Sequence, residues 1–108
     1  MNKEVYREFN KGWNSSFDEL LTKLEPFNVE VSQAKEKYAE LRVYVYPDVE
    51  EAEAIIEEYA EKSKTICELC GSSGKVENIG GRIVRTLCAY CYKNHDKIAR
   101  GEINIEAL

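Results

Sequence analysis

Two cysteine pairs, Cys67-x2-Cys70 and Cys88-x2-Cys91, stand seventeen residues apart in the last third of this chain and constrain it more than any other feature. A two-residue spacer lets one tight turn present two sulfurs to the same point, and two such turns supply the tetrahedron of thiolates that zinc prefers. Cys67, Cys70, Cys88 and Cys91 therefore read as the ligands of one Zn2+. The site reads as structural, because catalytic zinc keeps a coordination position for water and four thiolates close it. His95, the single histidine, falls four residues after Cys91 on the same helix face and is placed at the surface or beside the thiolates, outside the ligand set.

The residues between the pairs support that reading. Gly71 directly follows the second thiol, where an inward-turning knuckle needs positive φ. Val76, a turn at Asn78-Ile79-Gly80-Gly81 and the alternation of Arg82 to Leu87 predict a hairpin. Ala89 to Arg100 predicts one helix, closed by Gly101. Knuckle, hairpin, then knuckle at a helix start is a treble-clef-like arrangement, and the helix dipole there favours thiolates.

Upstream, Val5, Tyr6 and Phe9 suggest a short helix over 3–11, stopped by Gly12. Phe17, Leu20, Leu21 and Leu24 form a helical stripe, with Ser16 and Glu19 as its capping box and Pro26 ending it near Glu25. Val29 and Val31, then Leu41, Val43 and Val45, alternate with polar residues and predict a β-hairpin. Its connection, Lys35 to Glu40, is charged enough to be a turn; it lacks Asn-Gly or Asp-Gly, which leaves room for a longer loop or a helical turn. After Pro47, Asp48 and Glu51 form a second capping-box pattern. Val49, Ala52, Ile56, Tyr59, Ala60 and Ser63 share one face of the following helix, and glutamates cover the rest. Trp13 reads as a core anchor. The fold class is α+β: an N-terminal helix, a β-hairpin and a long helix packed together over 1–64, then the four-cysteine zinc lobe over 65–108, the two forming one compact unit.

Charge narrows the partners. The net charge is −5, but residues 1–64 carry nine Lys/Arg against fifteen Asp/Glu, a net of −6, while residues 65–108 carry six against five, a net of +1. Four thiolates on one divalent cation add about −2, so even that lobe is not basic once metallated. Broad attraction to a phosphate backbone is not expected. No apolar run nears the ~20 residues of a membrane span, and the charged N-terminus does not resemble a signal peptide, which points to a reducing cytoplasm and no membrane partner.

The order Thr86-Leu87-Cys88-x2-Cys91-x2-Asn94-His95 after Cys67-x2-Cys70-Gly71 resembles the zinc scaffold of HNH endonucleases. Those enzymes place metal-binding and catalytic histidines on the intervening hairpin, and residues 71–87 contain neither histidine nor aspartate. The resemblance covers the scaffold and omits the chemistry. More of the chain is similar to small zinc-finger proteins common in phages and bacterial genomes. Gly12-Trp13, Gln33-x-Lys35-Glu36-Lys37-Tyr38-x2-Leu41-Arg42-x-Tyr44, Cys67-x2-Cys70-Gly71 and Arg85-Thr86-Leu87-Cys88 carry that likeness. Cys91 stands where that group often has histidine, and Ala39-Glu40 where it has small residues or glycine. The resemblance implies a phage or prophage provenance and a bacterial host cytoplasm.

The expected function is that of a non-enzymatic, zinc-stabilised interaction protein that binds and modulates a host protein. The alternative is nucleic-acid or nucleotide binding, and a degenerate nuclease comes third. The candidate binding surface is Lys35, Lys37, Tyr38, Arg42 and Tyr44 on the first hairpin, with Arg82 and Arg85 on the second, because cations beside tyrosines suit phosphates and stacked bases. Tyrosines at a hairpin edge are also compatible with a homodimer; the sequence leaves the oligomeric state open.

Overall fold

In a computed structural model, residues 5–108 are described, and they form the expected mixed α+β arrangement. The segment before the first long helix departs from expectation. There is no helix over residues 5–10 of the expected 3–11 span, whose first two residues lie outside the described ones. Strand β1 (Arg7–Glu8) instead runs parallel to the first hairpin strand, opposite Ala34 and Lys35. A 3-10 turn over Lys11–Trp13 leads straight into α1 (Asn14–Leu24). Packing explains this: Phe9 meets Phe17 edge-on at 5.3 Å and Trp13 at 6.2 Å, so the aromatics fold the segment back onto α1. Arg7 adds hydrogen bonds to Asn14 Oδ1 at 3.0 Å and Asp18 Oδ1 at 2.6 Å.

Helix α1 buries Phe17, Leu20 and Leu24 of the stripe read from the sequence, and its fourth member, Leu21, is half-buried against the same core. Its expected capping box does not form. The helix starts two residues before Ser16, with Trp13 at the N-cap and no side-chain cap. Glu19 accepts hydrogen bonds from the Tyr59 hydroxyl and from Lys62 Nζ, so long-range partners outcompete the local one. After Leu24 the chain makes a 3-10 turn over Glu25–Phe27 around Pro26 and reverses at Asn28, whose φ is 55°.

Strands β2 (Glu30–Lys37) and β3 (Glu40–Tyr46) form the expected antiparallel hairpin, completing a three-stranded sheet in the order β1-β2-β3. A bulge between Val31 and Gln33 keeps Val31, Ala34, Leu41, Val43 and Val45 on the buried face. The connection is neither a longer loop nor a helical turn. Lys37 pairs with Glu40, so only Tyr38 and Ala39 turn the chain, at φ 52° and 66°. Left-handed geometry at two non-glycine residues costs about 1–2 kcal/mol each. One local and one tertiary bond hold it: the Ala39 amide donates to Glu36 Oε2 at 2.9 Å, and its carbonyl accepts from Thr86 Oγ1 at 2.8 Å.

Helix α2 (Glu50–Ser63) buries Ala52, Ile56, Tyr59, Ala60 and Ser63, as its periodicity implies. The Asp48/Glu51 box is absent. Val49 is the N-cap, so Asp48 stands one residue too early to cap the helix with its side chain. Glu50, Glu51 and Glu53 still place negative charge at the positive end of the helix dipole. Helices α1 and α2 and the inner face of the sheet enclose a core that includes Trp13, Phe17, Leu20, Leu41 and Tyr59.

The C-terminal lobe begins with the first cysteine knuckle, followed by the antiparallel hairpin β4 (Lys75–Ile79) and β5 (Ile83–Leu87). The helix expected over Ala89–Arg100 is two short ones, α3 (Ala89–Lys93) and α4 (His95–Ala99), broken at Asn94 with φ −107° and ψ 17°. Asn94 Nδ2 bonds the Tyr90 carbonyl at 2.9 Å, which also keeps the Asn94 amide at 3.0 Å, and His95 Nδ1 bonds that of Tyr92 at 2.7 Å, so side chains add to the backbone bonds at the last α3 turn. Gly101, at φ 77°, ends α4 as expected. Among the described residues no helix is long and apolar enough to cross a membrane.

Candidate metal centre

Cys67 and Cys70 come from the loop after α2, Cys88 from the end of β5 and Cys91 from α3. Their four sulfurs lie within 4.8 Å of one another, and none is in a disulfide. The Cys70 and Cys88 sulfurs are 3.6 Å apart. A tetrahedron with metal–sulfur bonds of about 2.3 Å has edges of roughly 3.8 Å, so the cluster has the size to hold one ion.

Backbone geometry aims the sulfurs. The Cys67 amide donates to Ser72 O at 2.7 Å and the Gly71 amide to Cys67 O at 2.9 Å. This closes a knuckle around Gly71, whose φ of 88° favours glycine. In the second pair Cys88 is the N-cap of α3, and its sulfur accepts from the Cys91 amide at 3.4 Å. Cys67 and Cys91 are fully buried and the other two half-buried. Burial pushes the Cys67 thiol up. It pushes Cys91 up further, reinforced by the neighbouring sulfurs of Cys88 and Cys67. At Cys70, burial also acts upward, but hydrogen bonds from Ser72 and the neighbouring cysteines outweigh it and bring the thiol down to about 7. Crowded thiols resist shedding their protons together, and a divalent cation among them removes that resistance.

Glu68, between the first two cysteines, is completely buried. Its Oε2 accepts from Arg85 Nη1 at 3.0 Å and its Oε1 from the Thr86 amide at 3.3 Å. Burial raises its carboxyl to about 7, against the opposing pull of Arg85. The Glu68 amide donates to Thr86 O at 2.9 Å, and its carbonyl accepts from the Gly12 amide at 2.9 Å. Trp13, buried as expected, donates from Nε1 to Ile66 O at 2.8 Å. The knuckle is thus clamped between β5 and the Gly12-Trp13 turn. The sequence reading missed Glu68, Thr86 and the role of Gly12. A charged residue inside a Cys-x2-Cys knuckle and a Gly-Trp pair were the available signals, but neither spacing nor periodicity says that they meet.

The candidate binding surface divides. Lys35 and Arg42 are cross-strand partners, and Lys35 Nζ lies 5.9 Å from the Tyr44 ring, so these three share the outer face of the sheet. Lys37 and the exposed Tyr38 sit at the hairpin tip, 5.9 Å from cation to ring. Arg42 is committed to Glu40 at 2.5 Å, which also takes Lys64 at 3.2 Å. Arg85 is turned to Glu68, while Arg82 is exposed in the β4–β5 turn. His95 stands outside the cysteine cluster, bonded to Tyr92 O and 3.3 Å from Asp96.

Comparison with protein-family models, curated proteins and solved structures gave no match to this chain.

Proposed function

We propose that this chain is a non-enzymatic, zinc-stabilised interaction protein, phage- or prophage-encoded, that binds a host protein in the bacterial cytoplasm and modulates it. The observation that carries the reading is the four-cysteine cluster. Four thiols of this size and arrangement suit Zn2+ in a closed, treble-clef-like centre, where every tetrahedral position is taken by protein. Such an ion holds backbone in place: it fixes the knuckle on which Gly12, Trp13 and Thr86 converge, and so fixes the first hairpin and α2 relative to the lobe. Nucleic-acid binding is the weaker reading. Arg42 and Arg85 already neutralise Glu40 and Glu68, and residues 1–64 carry a net charge of −6.

Metal analysis of protein purified without added zinc tests the first half of the reading, with one equivalent of zinc expected per chain. Affinity capture from bacterial lysate tests the second. A specific protein should be retained by the zinc-loaded chain and lost with Cys70→Ser. Recovery of nucleic acid in a salt-sensitive manner, with no protein above background, would reverse the order of the two readings.

A further inference from the structure

Strand β3 is the last strand of its sheet, and its outer edge is open. The two-residue turn makes Lys37 and Glu40 a hydrogen-bonded pair, so Glu40, Arg42 and Tyr44 point their backbone groups at β2. Leu41, Val43 and Val45 therefore point theirs outward. At Leu41 the outward amide is capped by Ser63 Oγ at 2.9 Å. Among the described residues, nothing pairs with the outward groups of Val43 and Val45.

That edge borders a groove of about 280 Å3 between β3 and α2. Its apolar walls include Ile56 and Ala60, and Glu53 and Glu57 stand along its helical side. Glu40 and Arg42, also at the groove, neutralise each other, whereas Glu53 and Glu57 have no cationic partner among the described residues. Residues four apart on a helix are separated by about 6 Å along its axis, and alternate residues on a strand by about 7 Å. Two cations at alternate positions of an added strand thus match Glu53 and Glu57 in spacing and charge.

We propose that the β3 edge is a strand-addition site for an extended peptide segment of the partner, with lysine or arginine at alternate positions facing α2. The segment's backbone pairs with Val43 and Val45, its cations meet Glu53 and Glu57, and its opposite side chains lie beside Tyr44 and Tyr46. A second copy of this chain is disfavoured as occupant. Two-fold pairing of β3 with itself would bring the same unneutralised glutamates from both copies to one seam. The inference rests on the interaction reading above and supplies its partner chemistry.

The test titrates isotope-labelled, zinc-loaded full chain with a short peptide of alternating lysine and valine, capped at both ends. Amide shifts and slowed hydrogen exchange are expected at Val43 and Val45. The glutamate-valine counterpart should bind roughly ten-fold more weakly. A lysine-valine peptide N-methylated on its pairing amides should not bind. The exposed double change Glu53→Lys with Glu57→Lys should invert the preference between the two unmethylated peptides. Equal binding of all three peptides, shifts confined to other surfaces, or an unchanged preference in the double variant would overturn the proposal. So would concentration-dependent dimerisation that protects Val43. Capture of a host protein that survives the double change overturns the edge site alone and leaves the interaction reading standing. Peptide binding at the edge with no host protein captured supports the site and counts against that reading.

Discussion

The Gly12 amide donates to the Glu68 carbonyl at 2.9 Å, and the two backbones approach so closely that a β-carbon on Gly12 would lie 2.2 Å from the Cys67 carbonyl oxygen. This contact fastens the N-terminal turn to the first cysteine knuckle, and it admits glycine only. Gly12→Ala should destabilise the protein by about 3 kcal/mol or more, since backbone on both sides must move. Denaturant unfolding of the zinc-loaded protein measures it. A loss below 1 kcal/mol, the ordinary cost of a surface change, would show the contact is slack.

The proposed zinc site implies that metal loss divides the molecule. A strong chelator, or Cys70→Ser, is expected to unfold residues 66–100 while α2 keeps its helix, because α2 packs through Ala52, Ile56 and Tyr59 into a hydrophobic cluster distinct from that of the cysteines. Hydrogen exchange resolved by residue reads this directly. Uniform protection across both regions after chelation would show that the thiols alone hold the lobe.

Metal binding should release protons near neutral pH, because burial and mutual repulsion keep the Cys67 and Cys91 thiols protonated in the metal-free protein. Affinity for zinc should therefore fall as pH is lowered and protons compete for sulfur. Calorimetric titration in two buffers of different ionisation enthalpy counts the protons. Identical heats in both would contradict the expectation.

Glu68→Ala leaves the Thr86 amide without its side-chain acceptor and Arg85 without its carboxylate, at a cost of about 2–4 kcal/mol. Glu68→Gln keeps an acceptor for one of them and should cost less. Thermal melts of the two variants give the comparison, and an Ala variant as stable as the Gln variant would mean that the buried bonds contribute nothing.

Tyr38 is exposed and left-handed at φ 52°, so Tyr38→Asn should stabilise the fold by about 0.5–1 kcal/mol by easing the turn. An unchanged or lower denaturation midpoint would indicate that the Tyr38 ring contributes more to the hairpin tip than its backbone strain costs.

The sequence by itself determined the four-cysteine cluster, both hairpins and the buried faces of α1 and α2. Each depends on local periodicity or spacing: two residues between sulfurs, period two in β3, period 3.6 in Ala52 to Ser63. The tertiary structure decided what those rules cannot reach. Both capping boxes lost to other arrangements, because Glu19 found Tyr59 and Lys62 and α2 began past Asp48. Tyr38 and Ala39 adopt a turn that their own side chains disfavour, because Thr86, 47 residues on, holds the Ala39 carbonyl. Gly12, which locally reads as a helix stop, proved to be the surface on which the knuckle sits. Local preferences differ by a few tenths of a kcal/mol to about 2 kcal/mol per residue, so buried hydrogen bonds and backbone contacts formed across dozens of residues together override them. The cysteines escape that override because each pair is set by a short-range knuckle, in which the Gly71 amide bonds Cys67 O and the Cys91 amide bonds the Cys88 sulfur.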